Sequence, residues 1–123
     1  MSTATHASIV ERQVRGLNEG SLDDVVAMYA DDATFTLWSP HTLPGSEMRL
    51  EGREAIERHM GRVLKGGIEG VEIDWMNEGS DFIAWRDHGA FGPGIAFSES
   101  HVALLNADGL IVDHTIHSVY SKG

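Results

Sequence analysis

The sequence predicts an α+β domain: a curved antiparallel sheet forming a cone with an internal pocket, with three helices from the first half of the chain packed over it. Three observations carry that expectation. Apolar residues follow helical spacing mainly before residue 64 and alternate after it. Fourteen glycines against three prolines supply the turns that successive strands need. Asn106-Ala107-Asp108-Gly109 joins two strand-like runs, and Asp-Gly provides the φ > 0 backbone of a tight hairpin loop.

The first helix is read over Ile9–Asn18, where Val10, Val14 and Leu17 share a face and bring Gln13 onto it. Gly20 stops that helix. Ser21-Leu-Asp-Asp24 is a capping-box-like start for a second one, running to about Tyr29 and burying Leu22, Val25, Val26 and Tyr29. Asp31-Asp32 ends it and carries no chemistry, and Ala33–Trp38 is strand-like in its Thr, Phe and Trp content. Ser39–Leu50, with Pro40, Pro44 and Gly45, is a loop and the lid over any pocket. Arg53–Leu64 is the third helix, with Ile56, Met60, Val63 and Leu64 in a stripe, His59 on the same side and Gly66-Gly67 as its stop. Val71, Ile73 and Trp75 then alternate with Glu72, Asp74 and Met76. An Asn77-Glu-Gly-Ser80 turn leads to a strand over Asp81–His88, and a glycine-rich connection over Gly89–Gly94 leads to Ile95–Asn106. The expected order is α-α-β-α-β-β-β-β.

Length and charge narrow the function. The 123 residues suit one domain, residues 1–123, with a real core. The formal charge is -10, from 19 acids against 9 bases, so phosphate backbones are repelled and nucleic-acid binding is not expected. There is no cysteine, which rules out a disulfide framework, a thiol nucleophile and a thiolate metal site, and suits a reducing cytoplasm. No apolar run approaches a membrane span of roughly 18 residues, and MSTATHASIV lacks a basic leader region. His6 and His41 are expected in solvent.

The hairpin over Glu99–Tyr120 holds the strongest chemical signal. With Ala107-Asp108 at the loop centre, Leu105 faces Leu110, Ala103 faces Val112 and His101 faces His114. Phe97, Glu99, His101, Ala103 and Leu105 then share a face with Leu110, Val112, His114, Ile116 and Ser118. That face carries the larger apolar bodies and both imidazoles, and is assigned to the concave pocket. The opposite face, with Ser98, Ser100, Val102, Leu104, Ile111, Asp113, Thr115, His117 and Val119, is smaller and β-branched. A slip of one residue would exchange the two faces.

Leu17-Asn-Glu-Gly-Ser-Leu-Asp-Asp24, Met28-Tyr-Ala-Asp-Asp-Ala-Thr-Phe35, Gly52-Arg-Glu-Ala-Ile56 and Asn106-Ala-Asp-Gly-Leu-Ile-Val112 together resemble the nuclear transport factor 2-like superfamily, in its SnoaL-like polyketide cyclase and ketosteroid isomerase-like branch. The resemblance spans nearly the whole chain and implies a cystatin-like α+β barrel that dimerises through its convex sheet face. It does not carry over the isomerases' machinery. Gln13 stands at the position of their tyrosine donor, Leu37 at that of their general-base aspartate, and His101 at that of their protonated acid. SnoaL-like cyclases keep a histidine at the His101 position and an acid where this chain has His114. Val112-Asp-His114 is similar to the Val-Glu-His often found there.

The expected function is therefore cofactor-free acid–base chemistry, of isomerase or cyclase type, on a small hydrophobic carbonyl or polyketide-like substrate. The alternative is a non-catalytic binding or accessory module with the same pocket. His101 and His114 act as acid and base, because imidazole titrates near neutrality and two adjacent rings do not both stay charged. Asp87 or Glu99 fixes a ring tautomer, while Gln13, Trp38, Trp85 and His59 line the pocket. The histidine pair with Glu99 or Asp87 is similar to a two-His-one-carboxylate metal set, but metal use is uncommon in this branch and none is expected. No phosphate-binding glycine loop, Ser-His-Asp spacing or dinucleotide fingerprint appears, so no cofactor is expected.

Overall fold

In the computed structural model, residues 6–39 and 47–122 are described. The elements are α1 (Ala7–Glu19), α2 (Leu22–Val26), β1 (Tyr29–Trp38), β2 (Met48–Glu51), α3 (Arg53–Gly66), β3 (Ile68–Glu78), β4 (Phe82–Phe91), β5 (Ile95–Leu105) and β6 (Ile111–Lys122). Six strands form one curved sheet in the order β2-β1-β6-β5-β4-β3. Its two edges do not meet, so the expected barrel is an open cone. The sheet is also not wholly antiparallel, because β1 runs parallel to β6. No helix among the described residues is long and apolar enough to cross a membrane.

The α1 stripe is as expected: Val10, Gln13, Val14 and Leu17 are all buried. Gly20 caps the helix at φ 74°, and Asn18 binds both backbone groups of Val71 at 2.8 and 2.9 Å. That double bond fixes α1 over the start of β3. The second helix is much shorter than expected and Ser21 makes no side-chain cap bond. Its intended last residue, Tyr29, is drawn into β1 instead, because Ile111 donates to the Met28 carbonyl at 2.7 Å and Tyr29 pairs with Ile111. Strand pairing with β6 has overridden the local helical pattern.

Three further expectations change. Met48–Glu51, read as loop, is strand β2, paired antiparallel with β1. The lid residues 40–46, with His41, lie outside the described residues. In β3, register shifts between Glu69 and Glu72 and between Ile73 and Trp75 break the alternation. Bulges turn successive side chains to the other face, so Val71 is buried while Trp75 is 49% exposed. The Gly89–Gly94 connection is mostly strand: β4 runs to Phe91, and the turn is confined to Gly92–Gly94. Gly89 is required there, since a Cβ would come within 2.8 Å of the Phe97 ring. His6, expected in solvent, is half-buried and contacts the Ser80 carbonyl at 3.3 Å.

The core lies between the helices and the concave face. Val10, Val25 and Ile56 from the helices meet Phe35, Ile83, Trp85, Ile111 and Ile116 from the strands. The convex face of the same sheet carries Val102, Leu104 and Val119 at 50%, 47% and 57% exposure.

Candidate active site

Register decides which side chains meet. Across β4 and β5, Asp87 opposes Glu99 and Trp85 opposes His101. Across β5 and β6, Glu99 opposes Ser118, His101 opposes Ile116, and Ala103 opposes His114. The two histidines are therefore diagonal neighbours, two residues from the direct opposition expected. The turn explains the difference. Asn106 accepts from the Asp108 and Leu110 amides at 2.9 and 3.0 Å, making the loop one residue longer than assumed and setting Leu105 against Ile111. A bulge beside Leu104 adds a second residue. Two single-residue slips restore parity. His101 and His114 keep the concave face, while Ile111, assigned outward, is buried in place of Val112.

A continuous hydrogen-bonded chain runs through that face. The Gln13 side chain faces the Tyr29 hydroxyl and opposes the rise of its pKa. The Tyr29 hydroxyl lies 2.7 Å from His114 Nδ1, and His114 Nε2 lies 2.9 Å from His101 Nδ1. His101 Nε2 then faces Asp87 Oδ1 at 3.2 Å and Glu99 Oε1 at 3.6 Å. Ser118 donates to the other Glu99 oxygen. A carboxylate only accepts, so His101 Nε2 carries a proton and donates it. With His101 neutral, its Nδ1 accepts from His114 Nε2–H, and His114 Nδ1 accepts from the Tyr29 O–H. Every donor finds one acceptor, as buried polar groups require.

The surroundings push the charges in defined directions. His114 is fully buried, and loss of water together with the neighbouring His101 holds its pKa well below 6.5. It stays neutral, as expected for one of two adjacent imidazoles. Burial raises the Glu99 carboxyl above its ordinary value, and Asp87 adds to that rise while His101 and Ser118 oppose it. Burial also raises the Tyr29 and Tyr120 hydroxyls. His59 is lowered by burial and by Arg62. Trp85 stacks on His101 at 4.3 Å and 6°, and Phe35 meets His114 edge-on at 5.3 Å and 81°. Both imidazoles are thus clamped by aromatic rings.

A pocket of about 100 Å³ opens onto this network. Its apolar lining includes Leu17, Leu37, Met60, Val63, Ile68 and Ile116, and its polar lining is Gln13, His59, Glu99, His101 and Tyr120. Of the expected site residues, Gln13, His59, Glu99 and His101 therefore meet in one place. Asp87 and His114 stand behind His101, outside the lining. Trp85 forms the buried bed of His101, and its Nε1 has no hydrogen-bond partner among the described residues. Trp38 does not join them: it lies across from His117 and stacks on that ring at 6.2 Å and 8°. Side chains alternate along β1, so with Phe35 and Leu37 turned inward Trp38 points outward. Tyr29 and Tyr120 were missed, and Ser118, expected on the concave face, was given no role. A tyrosine hydroxyl among apolar residues was the available signal for Tyr29, since such a group needs a partner once buried. Ser118 and Tyr120 share the parity of His114.

Among the described residues, Asp87, Glu99 and His101 each bring one donor atom within 4.8 Å of the others and could hold a metal ion. That is one imidazole with two carboxylates, because His114 uses Nε2 on His101. A larger open groove of about 590 Å³, between Ile9 and Arg12 of α1 and the 105–110 turn, holds no part of the buried network.

Residues 10–114 match the SnoaL-like domain family. No curated protein matches the chain. Among solved structures, a SnoaL-like protein of unknown function from Burkholderia thailandensis is 22% identical, with a TM-score of 0.74 and 98% of each chain covered. A protein with a cystatin-like fold from Silicibacter pomeroyi is 16% identical, with a TM-score of 0.68, over 89% of this chain and 72% of that one. A steroid delta-isomerase from Pseudomonas aeruginosa is 14% identical, with a TM-score of 0.67, over 94% of this chain and 80% of that one. At these identities the likeness is one of fold.

Proposed function

The chain belongs to the SnoaL-like domain family, and from that premise we propose that it is an acid–base enzyme of isomerase or cyclase type, acting on a hydrophobic carbonyl compound. One observation carries the proposal: Glu99 and His101, next to each other in the buried network, both line the pocket. A carboxyl with a raised pKa is suited to take a proton from the carbon beside a carbonyl and return it elsewhere. Glu99 fills that role. His101 holds a proton at Nε2, between Glu99 and Asp87, and acts as a hydrogen-bond donor to the developing enolate oxygen, while the protonated Glu99 returns the proton to carbon. Asp87, His114 and Tyr29 act through His101 as positioning residues, and Gln13 and Tyr120 offer hydrogen bonds to a ligand. This replaces the symmetric division of labour between two histidines, because His114 is outside the lining.

A second reading, a binding module without turnover, is favoured by the saturation of the network. Both ring nitrogens of each histidine are already engaged by protein groups. Exchange of the α-protons of cyclic ketones with deuterated solvent, followed by NMR, separates the two. The wild-type chain should catalyse exchange, and Glu99→Gln should slow it by about a hundredfold or more. No exchange above buffer would leave the binding module.

The proposal includes a homodimer formed through the exposed apolar residues of the convex face, Val102, Leu104 and Val119. The cysteine-free composition fits a reducing cytoplasm.

A further inference from the structure

We infer that the pocket accepts an uncharged molecule no larger than one small ring and rejects fused-ring and anionic substrates. This rests on Glu99 and His101 being the groups a ligand meets, and adds size and charge to that reading. The polyketide-like class held open by the family resemblance is thereby set aside.

Size comes first. The pocket holds about 100 Å³. A water-sized sphere needs about 10–15 Å³, so the room holds several waters, whereas pockets for drug-sized ligands run to about 300–1,000 Å³. A fused polyketide nucleus belongs with the latter. The walls are packed bodies. Phe91 lies 4.6 Å from Phe97 and 5.9 Å from Tyr120, ring centre to ring centre, and Met60 of α3 is 7% exposed. Enlarging the space means displacing side chains that belong to the core.

Charge gives the second limit. No lysine or arginine lines the pocket among the described residues. A second carboxylate, Asp87, stands 3.2 Å behind His101 and is 1% exposed. An anionic ligand would lose its hydration beside two carboxyl groups with no cation to replace it, and burial of an unpaired charge is strongly unfavourable. A neutral carbonyl or hydroxyl meets donors instead, in the Tyr120 hydroxyl and the Gln13 amide.

The test is an NMR titration of the whole chain with 2-cyclohexenone, 1-decalone and cyclohexanecarboxylate. Cyclohexenone should shift the signals of Leu37, Glu99 and Ile116. The fused-ring decalone and the carboxylate should each bind at least about tenfold more weakly. Phe91→Ala should restore decalone but not the carboxylate; Val63→Ala serves the same purpose if the first variant fails to fold. Glu99→Gln should narrow the gap for the carboxylate but not for decalone. Equal binding of either excluded probe to the wild-type chain, or no binding of cyclohexenone, overturns the inference. Cyclohexenone that binds without α-proton exchange would reject the acid–base reading and leave this selectivity standing.

Discussion

The two faces of the β5–β6 hairpin each carry residues that run against the usual distribution of polarity. Inward, His101, His114 and Ser118 are buried at 4%, 0% and 3% exposure, beside Asp87 of β4 at 1%; outward, Val102, Leu104 and Val119 are about half exposed. The inward polar groups persist because each has partners, and removing one partner leaves the others buried and unmatched. The outward apolar groups have no such interdependence in the single chain, and their cost is exposure to water alone. Buried polarity is therefore a network property, while exposed apolarity is additive.

The largest expected effect sharpens that contrast directly. His101→Leu leaves Asp87 and His114 without their shared partner and should lower unfolding stability by about 3–5 kcal/mol. Val102→Ser, on the adjacent residue but the other face, should change it by no more than about 0.5 kcal/mol. Urea unfolding of both variants measures the difference, and similar losses would break the comparison. Tyr29→Phe comes next. It keeps the ring but strands His114 Nδ1, and should cost about 1–3 kcal/mol.

A smaller effect appears in the pH dependence. The His114 pKa lies below 6.5 in the folded chain, chiefly through burial. Between the folded and unfolded values the unfolded chain binds the extra proton, so stability rises with pH there. The contribution is fully present above about 6.5 and is lost as pH falls toward the folded value. His59 is lowered too and acts in the same direction. His114→Gln should flatten the stability profile below pH 6.5, with His59 keeping a residual slope. An unchanged slope in calorimetric scans would show that His114 does not titrate in that way. Smallest for the folded chain itself is Leu104→Lys on the convex face. It should convert a dimer to a monomer in light scattering while leaving the His114 signals unmoved; a wild-type monomer would remove the dimer from the proposal.

Much of this was legible because it depends on local spacing. The stripe of α1, including Gln13, and that of α3, including His59, follow from a 3.6-residue period. The inward parity of Glu99, His101, Ile116 and Ser118 follows from a period of two. The register of His101 against His114 was not legible, because the loop and a bulge each added a residue. Trp38 was misplaced through its composition: an aromatic ring suits a pocket or an outer face equally, and strand parity decides. Tyr29 was read as helix core because local apolar spacing is blind to a parallel strand more than eighty residues away.

By itself, then, the sequence determined the α+β class, the helical stripes and the parity that turns both histidines inward, since these depend on neighbours within a few residues. The tertiary structure decided the diagonal register, the Tyr29–His114–His101–Asp87 chain, the exclusion of His114 and Trp38 from the pocket, and the small space before Glu99. Those depend on contacts between distant segments, where one inserted residue changes which side chains meet.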